Sequence, residues 1–197
     1  MRNYRTQMEA ARKGIITPEM KLVAAKEFRT DEGIRELVAK GQVVICANKL
    51  HTCIDPNGIG SMLRTKINVN LGVSRDCKDY DIELQKVMSA VNLGTEAIMD
   101  LSSHGDTQPF RKRLIAECPA MIGTVPVYDS VIHYQRDLAT LTAKDFVDVV
   151  RLHAADGVDF ITLHCGITRK TIEQIREHKR KMNIVSRGGS LVFAWMS

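Results

Sequence analysis

The sequence predicts an α/β fold in which a parallel sheet, built from about five βα units, follows a helical amino-terminal segment and stops incomplete. Three observations lead there. Short apolar runs recur from Lys66 onward at about thirty-residue spacing, each is followed by a stretch of helical periodicity, and each ends in polar, small or titratable residues. The clearest run is Asp156–Gly166, DGVDFITLHCG. Here Phe160, Ile161, Thr162 and Leu163 read as a strand buried on both faces, with His164 at its carboxyl end, the edge where α/β proteins assemble their sites. A lone histidine there also fits a satisfied core residue; recurrence of the pattern favours a site.

The chain opens with helices. Thr6–Lys13 and Pro18–Phe28 are predicted helical, and Thr17-Pro18-Glu19 supplies a cap, a proline at the first helical position and an acid in the first turn. Asp31–Lys40 continues with Ile34, Leu37 and Val38 on one face, and Gly41 ends it. Val43–Ala47 is a short buried strand, and Asp55 through Gly60 a Gly- and Pro-bearing loop. Residues 1–63 are thus read as a helical leading segment and 64–197 as the repeating part.

Strands are predicted at Lys66–Leu71, Glu96–Leu101, Met121–Val127, Phe160–Leu163 and Asn183–Ser186. Helices alternate with them at Tyr80–Leu93, with Ile82, Val87 and Val91 inward, at Thr107–Cys118, at Ala143–Ala155 with Phe146, Val149, Val150 and Leu152, and from Thr168 to Lys181. A further helix starts at Ser190, and its LVFAWM stretch needs packing partners. A closed barrel takes eight strands and typically about 250 residues, so five units leave an open edge, and the expectation is a fragment.

Composition narrows the class. An apolar fraction of 44% and a charged fraction of 26% are ordinary for a globular chain. No apolar run is long enough to cross a bilayer and Met1–Arg12 is too polar for a signal peptide, so a cytoplasmic location is expected. Cys46, Cys53, Cys77, Cys118 and Cys165 contain no CxxC pair and read as reduced thiols. The net charge of +5 is interleaved with acids and few aromatics, which argues against a nucleic-acid surface but suits a phosphorylated small molecule. The basic clusters Arg111–Arg113 and Lys179–Lys181 read as solvated helix faces.

The strand ends carry the candidate chemistry: Asn68 and Asn70; Met99, Asp100 and Ser102; Thr124 and Tyr128; His164; then Ser186, Arg187, Gly188 and Gly189. In a parallel sheet such ends converge on one rim and line one cavity. Ser186-Arg-Gly-Gly exposes backbone N–H groups at a helix start beside a cation, a reasonable phosphate cradle. Helix caps and turns are the bland reading of any single member. Nothing forms a nucleophilic triad, a metal motif or a glycine-rich nucleotide loop. His51 and Cys53 read as neighbours by chance, His104, His133, His153 and His178 as surface residues, and neither Asp100 nor Asp129 has a second carboxylate at a definable distance.

The phrases TQMEAARKGIITPEM, KINVNLG, AIMDLSS, MIGTVPVY, GVDFITLHCG and NIVSRGGS, in this order and at these intervals, resemble the amino-terminal half of the phosphomethylpyrimidine synthase family of thiamine biosynthesis, over about Thr6 to Met196. The resemblance implies a (β/α)8 barrel of the TIM type, here incomplete, and a radical S-adenosylmethionine lyase that rearranges aminoimidazole ribotide into hydroxymethylpyrimidine phosphate. It implies substrate contacts at Asn70, Met99, Tyr128, His164, Ser186, Arg187 and Gly188, with no catalytic residue assigned. Asn70 and Tyr128 would hydrogen-bond the imidazole or ribose, His164 would orient the ring, and the Ser-Arg-Gly turn would hold the phosphate.

The family's 4Fe-4S cluster, S-adenosylmethionine and zinc are implied with ligands in a carboxyl-terminal half outside this chain, none of its five cysteines matching the cluster motif. Leu50 replaces an asparagine expected before His51. Expected partners are the ribotide and a homo-oligomeric copy, with neither nucleic acid nor membrane; alone, the chain is expected to be inactive. Two alternatives accompany this reading: hydroxybenzimidazole synthase, which resembles the same family and uses the same substrate, and a non-catalytic fragment that survives by pairing with another chain.

Overall fold

The structure, a computed structural model, describes residues 3–178 and 181–197. Three helices open it: α1 (Gln7–Arg12), α2 (Pro18–Lys26) and α3 (Asp31–Ala39). Each starts on a threonine, Thr6, Thr17 or Thr30, whose hydroxyl accepts a backbone N–H three residues on and so satisfies a donor that the helix itself leaves orphaned. Their inward residues Met20, Val23, Ala24, Ile34 and Val38 form one apolar cluster with Val43 and Ile45 of strand β1 (Val43–Ile45). β1 pairs antiparallel with β2 (Gly58–Gly60), which lies where the sequence predicted loop. The glycines that suggested a turn are there because the chains approach closely: a Cβ on Gly60 would fall 2.1 Å from the Gln42 carbonyl oxygen.

The second sheet is parallel, with β3 (Asn68–Leu71), β4 (Ala97–Asp100), β5 (Met121–Thr124) and β6 (Phe160–Ile161) side by side in that order. Helices α4 (Tyr80–Asn92), α5 (Gln108–Glu117), α6 (Pro126–Tyr134) and α7 (Ala143–Asp156) run between its strands, and α8 (Arg169–His178) and α9 (Arg187–Met196) follow. Val69, Leu71, Ile98 and Ile122 pack on Leu84, Val87, Phe110, Leu114 and Ile115, a second core separate from that of the leading helices. Removing those side chains from water holds α4 and α5 on this face. The opposite face carries the register row Asn70, Met99, Gly123 and Phe160. Gly123 has no side chain because the Phe160 ring fills its place, 2.3 Å from where a Cβ would lie.

Four predictions of secondary structure need correction. Asn183–Ser186 is not a strand but coil leading into α9, so the described residues give four parallel strands rather than five. The run Phe160–Leu163 is strand only at Phe160–Ile161 and is half-buried, with Leu163 50% exposed, because β6 has a single neighbour, β5. The strand at Met121 ends at Thr124; Pro126 opens α6 instead, as proline does at a first helical turn. On α4 the inward side is Glu83, Leu84 and Val87, while Ile82 is exposed. The predicted helix from Thr168 ends, among described residues, at His178; Lys179 and Arg180 lie outside them.

The final helix has partners. Trp195 Nε1 donates to the Leu141 carbonyl at 2.7 Å and its ring meets Phe146 edge-on at 4.7 Å, which seats α9 against α7 and brings its first turn beside α6. Among the described residues no helix is long and apolar enough to cross a membrane.

Candidate functional site

Five of the seven predicted site residues come together where α9 meets α6 and the chain leaving β6. Ser186 caps α9, its hydroxyl accepting the Gly189 N–H at 3.2 Å and lying 3.1 Å from His164 Nε2. Gly188 lies directly under the imidazole: a Cβ there would sit 2.0 Å from His164 Cε1, so only glycine lets the helix start approach the ring. Arg187 places its guanidinium 5.1 Å from the centre of the Tyr128 ring, within cation–π reach. Tyr128 belongs to the first turn of α6, which begins two residues after β5 ends. Beside the pair opens a cavity of about 560 Å3 lined by Ser103, Tyr128, Val131, Arg187, Ser190 and Leu191.

This group has unused bonding capacity. Arg187 is exposed and meets no carboxylate among the described residues. His164 Nδ1 is buried without a hydrogen-bond partner among the described residues. A planar cation and a helix start with two glycines are suited to an anion.

Asn70 and Met99 form a second group. They face each other across β3 and β4, Asn70 exposed and Met99 half-buried, and Asn70 Oδ1 accepts from Asn68 Nδ2 at 2.8 Å. No hydrogen bond or ring contact joins this pair to the α9 group among the described residues. One rim of five strand tips is therefore corrected to two groups, one on the β3–β4 face and one at the start of α9.

A buried polar cluster that the sequence reading missed lies behind the site. Arg111, read there as part of a solvated face, is 1% exposed and spans Asp129 (3.2 Å) and Asp156 (2.9 Å). His153, read as a surface residue, is buried: its Nε2 lies 3.1 Å from Asp129 Oδ2 and its Nδ1 2.8 Å from the Thr124 hydroxyl. Thr107 donates to Asp129 Oδ1 at 2.7 Å. Asp100 and Asp129, which had no definable carboxylate partner, line one void of about 10 Å3. Their carboxyls move apart. Burial pushes that of Asp100 up; for Asp129 burial is opposed and outweighed by hydrogen bonds from His153 and Thr107 and the charge of Arg111, which hold it below the usual range. The available signal was periodicity, since His153 lies one helical turn after Val149 on the inward stripe of α7.

His51 has structural partners, and Cys53 is not one of them. Its Nδ1 lies 2.7 Å from Asp159 Oδ2 and its Nε2 2.7 Å from the Cys118 carbonyl, two acceptors that only a doubly protonated ring satisfies. Burial opposes that charge, but Asp159 and the carbonyl together raise the ring's pKa above its ordinary value. Asp159 also accepts the Asn48 and Ile122 N–H groups, so the pair pins the loop after β1 to β5. Leu50 is exposed beside it.

The fold is that of a βα-repeat protein with a parallel sheet, one polar group on its β3–β4 face and another where α9 starts beside α6. Within that class the chain belongs to the Radical SAM ThiC family, which it matches over residues 6–197. It is 58% identical over 193 residues to the phosphomethylpyrimidine synthase of Alkaliphilus oremlandii (strain OhILAs), covering 98% of this chain and 44% of that protein. It is 56% identical over 194 residues to the enzyme of the same name from Clostridioides difficile (strain 630) and 58% identical over 194 to that of Pelotomaculum thermopropionicum, covering 98% of this chain and 45% of each. The chain spans less than half the length of these relatives.

Proposed function

We propose that residues 64–197 supply the substrate-binding part of a (β/α)8 barrel that, in a whole phosphomethylpyrimidine synthase, rearranges aminoimidazole ribotide into hydroxymethylpyrimidine phosphate as a radical S-adenosylmethionine lyase. Residues 1–63 form the leading segment that His51 and Asp159 tie to the sheet. The observation that carries the reading is Arg187, a cation with no carboxylate partner among the described residues, stacked on Tyr128 at the start of α9 beside His164 and Ser186. Arg187 and the N–H groups of the Ser186–Gly188 turn hold the phosphate, Tyr128 packs against the ribose, and His164 supports the turn through Ser186. Asn70 and Met99 contribute from the open sheet face.

The resident groups that the family implies do not fit these residues. Among the described residues no three His, Cys, Asp or Glu side chains are placed to hold a metal ion. Burial pushes the thiols of Cys46 and Cys118 up to about 11, the reverse of what a thiolate ligand requires. In this reading the ligands of the iron–sulfur cluster and of zinc belong to the part of the relatives that this chain does not span. The chain alone then binds the ribotide without turning it over.

Isothermal titration of the chain with aminoimidazole ribotide and with inorganic phosphate tests the site. The ribotide should bind more tightly than phosphate, and Arg187→Gln should weaken both. Equal affinity for unrelated sugar phosphates would reduce the reading to a generic phosphate site.

A further inference from the structure

Tyr128 and Asp129 are consecutive residues in the first turn of α6 with opposite surroundings. Tyr128 is half-buried under the Arg187 guanidinium, whereas Asp129 is 6% exposed and enclosed by the polar cluster. The start of α6 has no side-chain cap hydrogen bond, Val125 offering none. Besides the packing of its buried residues, its polar tether to the rest of the molecule is Asp129, which takes hydrogen bonds from Thr107 at the start of α5, Arg111 within α5 and His153 of α7. His153 in turn reaches Thr124, the last residue of β5, and Arg111 reaches Asp156 at the end of α7. A strand tip and three helices thus converge on one carboxylate, and the neighbour of that carboxylate faces the candidate ligand.

We infer that Asp129 is a positioning residue: by fixing the first turn of α6 it holds the Tyr128 ring against Arg187 and sets affinity for the phosphorylated ligand without touching it. The ligand half of this inference rests on the proposed function; the geometric half does not. A carboxylate held from three sides leaves the turn little freedom, and losing one hydrogen bond loosens it without emptying the site.

A double-substitution cycle with a ligand-independent readout tests the idea. The chain is labelled with fluorotyrosine, the resonance of Tyr128 is assigned by Tyr128→Phe, and Arg187→Gln marks how it moves when the ring loses its cation. Asp129→Asn should displace that resonance in the same direction and weaken ribotide binding about tenfold, a size ordinary for coupled neighbours. In a Tyr128→Ala background the same substitution should cost less than about twofold, while its effect on the melting temperature persists. Thr107→Val, which removes one hydrogen bond from Asp129, should give a smaller version of both effects in a chain that still folds. An unmoved resonance overturns the inference, as does an equal affinity loss in both backgrounds, the mark of general loosening. If the unaltered chain fails to bind ribotide, the proposed function falls, and the resonance still decides whether Asp129 positions Tyr128.

Discussion

Arg111 and Arg187 carry the same guanidinium into opposite circumstances. Arg111 is 1% exposed and lies between Asp129 and Asp156, whereas Arg187 is exposed over a tyrosine ring with no carboxylate beside it among the described residues. His51 and His164 differ likewise, the first with an acceptor at each nitrogen and the second with Nδ1 unbonded among the described residues. A group whose hydrogen-bonding capacity is spent inside the chain ties elements together. One with capacity left over and exposed, as Arg187 is, is available to a ligand.

The contrast can be broken by substitution. Arg111→Leu leaves the buried Asp129 carboxylate without its guanidinium and Asp156 with Lys112, at 3.9 Å, as its one cation among the described residues, and should destabilise the chain by about 3–5 kcal/mol in a denaturant titration. A loss below about 1 kcal/mol would show that the cluster is not holding α5, α6 and α7 together. Gly188→Ala drives a methyl into the His164 ring; it should cost about 1–3 kcal/mol and lower ribotide affinity further than it lowers stability.

A pH series sharpens the contrast. His51 binds its proton more tightly in the folded chain than in the unfolded one, so its stabilising contribution is complete below about pH 6.5 and declines as pH rises through its elevated folded value. His51→Gln should flatten the melting temperature over that window, and an unchanged slope would assign the effect to another group. The smallest effect on stability is expected from Arg187→Gln, within about 0.5 kcal/mol, even as phosphate and ribotide binding weaken. A large melting shift there would make Arg187 a structural residue.

Much of the site could be read along the chain because its members are local signals. Ser186 caps a helix whose glycines follow at once, His164 closes an apolar run, and Asn70 and Met99 come from strands whose boundaries differ from the predicted ones by two residues or fewer. The cluster behind them was not legible. Arg111, with Arg113 nearby, looks like a solvated face because a basic residue is costly to bury unless carboxylates reach it, and those lie 18 and 45 residues away. Asn183–Ser186 carries strand-like residues, but strand is a property of a pair, and no described strand lies beside it.

From the order of residues alone came the helix caps, the parallel βα rhythm from β3 to β6, the glycines after the Ser186 cap and the family resemblance. These depend on forces that act within three or four residues or on a repeating period. Folding decided which of two arginines would be neutralised and which left open, where the fourth strand would stop, and that α9 would find a seat on Leu141 and Phe146. Such outcomes turn on desolvation and on partners distant in sequence, whose energies exist only once the elements have packed.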